Sequence, residues 1–244
     1  MNNASDTFVS HLIELRDRLL RIIIGIVLCT LVLFPFANDI YQFLAKPLLH
    51  SLPVGGQMIA TDVTTPFFVP MKVVFLTAFI LSLPHTLYQV WAFVAPGLYT
   101  HERRLIGPLV FASTVLFLMG MAFAYFLVFP VVFGFITHTA PEGVAVMTDI
   151  GKYLDFAMTL FIAFGLAFEV PVAVVLLVSA GVVSVASLRE ARSYVIVGAF
   201  VIGAIFTPPD VISQVMLAVP LWVLYEAGIL VASLIQKKGQ RQLD

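Results

Sequence analysis

Two long apolar runs, at residues 105–136 and 153–183, constrain this chain more than any other feature. Each exceeds the roughly 20 residues that an α-helix needs to cross the hydrocarbon core of a bilayer. Hydrophobic residues make up 61% of the 244-residue chain and charged residues 11%, against roughly 25% charged in a typical soluble domain. A water-soluble protein of this length has too little interior for so much apolar surface. The predicted solvent is therefore the bilayer.

Helices rather than strands are expected to cross that bilayer. In lipid the backbone must satisfy its own polar groups, which leaves α-helices or closed β-barrels. A barrel strand alternates apolar and polar residues over about ten positions, and these runs do not alternate. The sequence predicts an all-α membrane protein, one polytopic domain over residues 1–244. Its six transmembrane helices are placed at about 18–37, 70–93, 105–136, 153–181, 193–206 and 212–235.

Prolines and polar segments divide and bend these spans. Residues 38–69, which include LPVGGQ and TTPFFVP, are predicted as a long connection. Pro84 predicts a kink in the second span, and the TPPD segment at 207–210 separates the last two spans. The fifth span covers roughly 21 Å at 1.5 Å per residue, less than the roughly 30 Å of hydrocarbon. Kinked helices and a short fifth span are therefore expected.

The distribution of basic residues predicts the orientation. The amino-terminal segment, the connections after the second and fourth spans and the carboxyl-terminal tail carry ten of the thirteen lysines and arginines. Because cytoplasmic segments of membrane proteins are enriched in lysine and arginine, both termini are placed in the cytoplasm. The two longer loops and TPPD then face outward.

The motifs of several enzyme classes are missing. The sequence has no HExxH, GxSxG, P-loop or GxGxxG motif, and its five histidines lack the spacing of metal ligands. The net charge of −1 gives no indication of a nucleic-acid partner. We therefore expect recognition or transport rather than catalysis, with no cofactor and no metal.

A carboxylate inside the fourth span allows two interpretations. Glu169, in GLAFEVPVAVV, is costly to bury in ionised form, so it is expected to be protonated, hydrogen-bonded or beside a water-filled cavity. It could serve the fold by satisfying the carbonyl of Ala167, which Pro171 leaves without its usual donor. It could instead contact a partner helix or a translocating chain. Glu226, nearer the cytoplasmic end, is expected to extend its carboxyl towards the interface.

Two further carboxylates stand among arginines on the cytoplasmic side. Glu14 can pair with Arg18 at i,i+4, and Glu102 with a neighbouring arginine. Such surface pairs contribute little stability. Carboxylates are also what an arginine-bearing ligand needs, because guanidinium binds them in bidentate geometry. The residues alone leave both roles open.

Longer motifs carry a family resemblance. HLIELRDRLL at 11–20, ATDVTTPFF at 60–68, YQVWAFVAPGLYTHERR at 88–104, GMAFAYFLVFP at 120–130, FEVPVA at 168–173 and VGAFVIGAIFTPPDVISQ at 197–214 resemble the TatC family. This family is the multi-spanning receptor subunit of the twin-arginine protein translocase. The resemblance runs essentially end to end in the same order, and it is strongest to proteobacterial members.

The resemblance implies a function and a set of sites. The chain would bind twin-arginine signal peptides and export folded proteins across the bacterial cytoplasmic membrane, driven by the proton-motive force. Its partners would be TatA-type and TatB-type single-span subunits in a higher-order complex within the lipid bilayer. The implied signal-peptide residues are Glu14, Arg16, Phe93, Pro96, Tyr99, Glu102 and Arg103. The implied partner or translocation residues are Glu169, Asp210, Gln214 and Pro47.

Two rival functions are weaker. A small-solute or ion transporter would need polar groups along a path near the midplane, where this sequence offers essentially Glu169 and Glu226, and it has no internal repeat. An intramembrane hydrolase would need a nucleophile and a base, and no such pair is evident.

Overall fold

The computed structural model describes residues 3–51, 58–98, 106–138, 147–206 and 211–240. These residues are almost entirely α-helical, which confirms the predicted all-α class. The helices are α1 (Asn3–Leu33), α2 (Ala37–Ser51), α3 (Thr65–Leu81), α4 (Leu83–Leu98), α5 (Ile106–Phe123), α6 (Phe129–His138), α7 (Ile150–Phe168), α8 (Val170–Ser179), α9 (Val185–Glu190), α10 (Arg192–Phe206) and α11 (Val211–Gln240). Two short strands, β1 (Met58–Ile59) and β2 (Thr148–Asp149), pair in parallel.

Several of these helices meet the length and composition of a membrane span. Four stretches do so outright, Val9–Lys46, Gly107–Gly134, Ile150–Ser179 and Gln214–Lys237, and the bent pair α3–α4 makes a fifth when counted as one span. The apolar helix α10 has only 15 residues, or roughly 22 Å. By these criteria the described residues hold four or five candidate spans.

The first helix extends further than the sequence suggested. A 3₁₀ turn at Phe34–Phe36 joins α1 to α2, so residues 38–51 are helical although they were expected to begin a connection. Pro35 lies in the first positions of that turn, where a missing N–H is not needed. Leu44 and Ala45 of α2 are buried. Packing of this apolar face outweighs the polar composition of the segment.

The chain forms two compact units, the first made of residues 1–43 and 67–114. In this unit α1 and α4 pack together in opposite directions. Gly25 permits a close approach, because a Cβ there would lie 3.1 Å from Cδ2 of His85. Residues 11–21 of α1 meet α4 in reverse order, in the pairs His11–Phe93, Arg18–Gln89 and Arg21–His85.

The kink predicted from Pro84 is present in this unit. The α3 and α4 axes are bent by 55° at the break between them. Proline cannot donate the backbone hydrogen bond that would continue α3 into α4, and its ring crowds the preceding turn. The hydroxyl of Ser82 donates to the carbonyl of Phe79 at 2.9 Å. A side chain at the break therefore adds a hydrogen bond to a carbonyl in the last turn of α3.

The second unit comprises residues 44–66 and 115–244. Two glycines let α5 and α7 approach closely. A Cβ at Gly120 would lie 2.4 Å from the carbonyl oxygen of Phe164, and one at Gly165 would lie 2.4 Å from the ring of Phe117. The aromatic residues of the adjoining core are Phe123, Tyr125, Phe129, Phe133, Tyr153, Phe161 and Phe164.

The third predicted span is continuous but irregular. A π-helical turn at Ala124–Val128 connects α5 to α6. Pro130 follows it in the first turn of α6. A proline in a regular helix removes one hydrogen bond and crowds the carbonyl four residues earlier. The wider π-turn relieves this conflict without ending the helix.

Candidate functional site

The carboxylate of Glu14 has the surroundings of a binding group. It lies on α1, and Oε1 accepts from both Nε and Nη2 of Arg18, at 2.9 and 2.5 Å. The predicted i,i+4 pair is therefore confirmed. Arg18 also donates from Nη1 to Oε1 of Gln89 on α4, at 3.4 Å. Gln89 is buried and the Arg18 side chain is only 18% exposed, whereas that of Glu14 is 40% exposed.

An aromatic contact lies one turn before Glu14. The rings of His11 and Phe93 are stacked with their centroids 4.3 Å apart. Nδ1 of His11 is 4.0 Å from Oε2 of Glu14. Phe93, a predicted signal-peptide residue, thus belongs to the same α1–α4 contact as Glu14. Arg16 projects elsewhere, because its exposed guanidinium pairs with the adjacent Asp17 at 2.8 Å.

The remaining predicted signal-peptide residues follow along the chain. Pro96 lies in the last turn of α4. Tyr99, Glu102 and Arg103 lie outside the described residues. The predicted convergence of Glu102 with Glu14 therefore stays a prediction. Arg18, Gln89 and His11 were not among the predicted site residues, although the i,i+4 spacing from Glu14 to Arg18 pointed to the first of them.

Glu169 occupies the break between α7 and α8. It ends one helix and begins the next, and its N–H donates to the carbonyl of Leu166 at 3.1 Å. Both carboxyl oxygens are buried. Pro171 follows in the first turn of α8 and packs against α11, where a Cβ at Gly228 would come within 3.0 Å of the proline Cα. The carboxyl group is therefore held inside a broken transmembrane helix.

Gln214 joins the short helix α10 to α11. Its side-chain amide donates to the carbonyl of Phe200 at 2.9 Å. Gly203 faces it, and a Cβ there would lie 3.0 Å from Cγ of Gln214. Asp210 lies outside the described residues, and Pro47 lies within α2. The structure thus gives Gln214 a contact between helices, and leaves the predicted functional roles of these three residues as predictions.

Two polar contacts could not be predicted from spacing. Arg192 forms a two-pronged ion pair with Glu226, with Nε–Oε1 at 2.6 Å and Nη2–Oε2 at 2.7 Å. The proposed extension of Glu226 towards the interface had overlooked this partner on α10. Asp149 caps α7 and binds Thr61, beside the β1–β2 pairing. The opposite charges of Arg192 and Glu226 could have suggested the first contact. The position of Asp149 just before α7, where a capping residue is common, could have suggested part of the second.

The described residues include several apolar helices long enough to span a membrane. Polar groups are buried where these helices break or meet one another. These features define a helical, multi-pass membrane protein. The family model described as Sec-independent protein translocase protein (TatC) matches residues 10–220. The chain is 56% identical to the Sec-independent protein translocase protein TatC of Escherichia coli and 54% identical to that of Haemophilus influenzae. Each match covers 96% of this chain and 91% of the relative. The chain belongs to the TatC family.

Solved structures agree with this assignment. A crystal structure described as the twin arginine translocase receptor TatC superposes with a TM-score of 0.80 at 39% identity, covering 92% of this chain and 98% of that one. The sequence resemblance is therefore confirmed, including its strength towards proteobacterial relatives. The predicted role in protein translocation is confirmed with it.

Proposed function

We propose that this chain is the receptor subunit that binds twin-arginine signal peptides at the cytoplasmic face of the bacterial inner membrane. With TatA-type and TatB-type single-span partners it exports folded proteins, driven by the proton-motive force and without a catalytic step of its own. The family assignment supports the transport role, and the description of the solved relative as a twin arginine translocase receptor supports the ligand class.

The proposal includes six spans with both termini in the cytoplasm. The bent pair α3–α4 counts as one span and the short α10 as another. Ten of the thirteen lysines and arginines then lie on the cytoplasmic side. Under this topology the start of α1 and the end of α4 are at the cytoplasmic surface, where a signal peptide arrives.

One observation carries the binding site: the Glu14 carboxylate is fixed at the α1–α4 contact, close to the end of α4. Arg18 holds it on one side, and Phe93 stacks on His11 one turn away. Glu102 follows the end of α4 by four residues in the sequence, and the proposal assigns its carboxylate to the same site. Two carboxylates suit a pair of guanidinium groups, each of which binds in bidentate geometry. The proposed site residues are Glu14, Arg16, Phe93, Pro96, Tyr99, Glu102 and Arg103.

Contacts with the small subunits are assigned to a second set of residues. Glu169 offers a carboxyl group at a helix break, and Gln214 lies where α10 meets α11. A polar side chain within a span is expensive unless another polar group meets it, so each is suited to a polar residue on a partner helix. Pro47 and Asp210 complete the proposed set of partner and translocation residues, as the family resemblance implies.

The deciding experiment is crosslinking of a twin-arginine signal peptide to the chain in membranes. A photoreactive residue in place of the exposed Ser10, one turn before Glu14 on the same helix face, should capture the Arg-Arg peptide and capture its Lys-Lys counterpart much less. Glu14→Gln keeps the shape and removes the charge, so it should weaken capture by about ten- to a hundredfold, as expected for a charge-assisted hydrogen bond of about 1.5–3 kcal/mol. Equal capture of both peptides would contradict the proposed ligand.

A further inference from the structure

Arg18 and Gln89 form a support behind the proposed ligand-binding carboxylate. Arg18 directs two donors to Oε1 of Glu14 and a third to Gln89, so a single guanidinium connects the two helices. Gln89 is 4% exposed. Because it is buried on α4, it gives the arginine a fixed anchor rather than a mobile surface partner.

The geometry leaves the two oxygens of Glu14 in different situations. Both bonds from Arg18 go to Oε1, and Oε2 lies 4.0 Å from Nδ1 of His11. In the part of the chain that the structure describes, Arg18 makes no bond to Oε2. A carboxylate oxygen has two lone pairs, and the two bonds from Arg18 engage those of Oε1, so Oε2 is the oxygen that can accept donors of a guanidinium from outside.

We propose that Arg18, anchored by Gln89, is a positioning residue that makes Glu14 selective for arginine over lysine. This inference rests on the proposed signal-peptide function. A carboxylate held in one rotamer presents its acceptor atoms in a fixed plane. The planar guanidinium of arginine binds more tightly to acceptors arranged in this way. A freely rotating carboxylate accepts the point charge of lysine almost as well. Arg18 therefore raises the affinity for an Arg-Arg ligand without a comparable effect on Lys-Lys.

The opposite role, an internal competitor, predicts the opposite result. If Arg18 merely occupied the place of the ligand, its removal would free Glu14 and tighten binding. Gln89→Glu separates the two roles, because a carboxylate at position 89 draws Arg18 away from Glu14. A positioning role predicts weaker Arg-Arg binding in this variant, and a competitor role predicts tighter binding.

The test measures binding of fluorescent Arg-Arg and Lys-Lys signal peptides to the full-length protein in detergent by anisotropy. Arg18→Gln and Gln89→Glu should weaken Arg-Arg binding about five- to tenfold, since one orienting charge-assisted contact is lost. Lys-Lys binding should change less than about twofold. Arg18→Lys keeps the charge but not the fork, so it should give an intermediate Arg-Arg affinity.

Matched variants separate positioning from general damage. Arg21→Gln removes the same charge one turn further along α1 from an exposed position, and it should preserve the discrimination. Gln89→Leu removes the anchor without burying a charge and should act in the same direction as Gln89→Glu. Melting temperatures report whether each variant is folded.

Each remaining outcome is decisive. A parallel loss of affinity for both peptides would overturn the proposal, because a merely structural role lowers both. Tighter Arg-Arg binding, or unchanged binding in folded Arg18→Gln and Gln89→Glu, would overturn it as well. If the unsubstituted protein itself failed to distinguish the two peptides, the proposed function would fail, independently of Arg18.

Discussion

Thr61 donates two hydrogen bonds to one oxygen of Asp149, from its N–H at 2.9 Å and its hydroxyl at 2.7 Å. The other oxygen accepts from the N–H groups of Gly151 and Lys152 at the start of α7. These bonds, first the one from the Thr61 hydroxyl, lower the pKa of Asp149 from 3.8 to about 2, because they favour the ionised carboxylate. The contact fastens the segment after β1 to the cap of α7.

The lowered pKa of Asp149 predicts the pH range in which this contact stabilises the fold. A group with a lowered folded-state pKa stabilises the protein fully above its unfolded pKa and loses that contribution as pH falls through the folded value. For Asp149 the loss therefore lies between about pH 4 and pH 2. Asp149→Asn should lower the melting temperature in detergent at pH 6, and its difference from the unsubstituted protein should shrink below pH 4.

Thr61→Val provides the matched variant for this prediction. It removes the hydroxyl donor and keeps the N–H, so the pKa of Asp149 should rise and the loss of stability should begin at higher pH. Thr64→Val removes a hydroxyl bonded to Asp62 at an exposed position, and should leave the pH profile unchanged. An Asp149→Asn difference as large at pH 2 as at pH 6 would contradict the assignment.

Local features of this fold could be predicted from the sequence. The apolar runs indicate helices, Pro84 indicates the kink, and i,i+4 spacing indicates the Glu14–Arg18 pair, because each depends on neighbouring residues. The π-helical turn is harder to predict, because Pro130 indicates a disturbed helix without specifying whether the helix kinks, ends or widens.

Contacts between distant residues could not be predicted in the same way. Gln89 lies 71 positions from Arg18, Asp149 lies 88 from Thr61, and Glu226 lies 34 from Arg192. Hydrophobic periodicity identifies the helices but does not determine which faces meet. The family resemblance supplied functional positions such as Glu14 and Phe93, and the folded chain supplied the residues that support them.

The ion pair between Arg192 and Glu226 predicts a charge-reversal effect. The two side chains are 46% and 24% exposed, so solvent screening limits their contribution to about 0.5–1 kcal/mol. Arg192→Glu should cost more than this, because it places two carboxylates together. The double variant Arg192→Glu, Glu226→Arg should recover part of the loss. Melting in detergent compares the unsubstituted protein, the single variant and the double variant. Equal losses in the single and double variants would show that the pair does not couple.

Two helical glycines, Gly120 in α5 and Gly198 in α10, predict opposite effects of the same substitution. Gly120→Ala should destabilise the protein by about 1–3 kcal/mol through overpacking, because the new Cβ would meet the backbone of α7 at 2.4 Å. Gly198→Ala meets nothing within 4 Å and should stabilise its helix by about 0.5–1 kcal/mol. Melting temperatures of the two variants should therefore shift in opposite directions. A similar shift in both would mean that α5 and α7 do not pack this closely.

The proposed topology predicts a labelling pattern. In a Cys29→Ala background, cysteines in place of Asn3, Thr100, Leu188 or Gln240 should be protected from a membrane-impermeant thiol reagent in intact cells. Those at Gly56, Gly143 or Asp210 should react. All seven should react once the membrane is permeabilised, which shows that protection comes from the bilayer. Labelling of position 100 from outside would contradict six spans with both termini in the cytoplasm.

The last prediction concerns Glu169 and separates a partner contact from a structural role. Its carboxyl group is buried at the break between α7 and α8, and a polar residue on a partner helix would meet it at that depth. Hydrogen bonds between helices in membranes contribute about 0.6–2 kcal/mol. Glu169→Gln keeps a donor and an acceptor and should retain much of the contact. Glu169→Ala keeps neither and should lose it.

Two crosslinks read out these variants. Disulfide crosslinking between α7 and the helix of a TatB-type partner should fall in Glu169→Ala and persist in Glu169→Gln. Signal-peptide crosslinking near Glu14 should be unchanged in both, because that site lies in the other compact unit. Loss of both crosslinks in Glu169→Ala would identify a glutamate needed for the fold. Retention of both, with normal export, would exclude the proposed partner contact, since no polar group at position 169 would then be required.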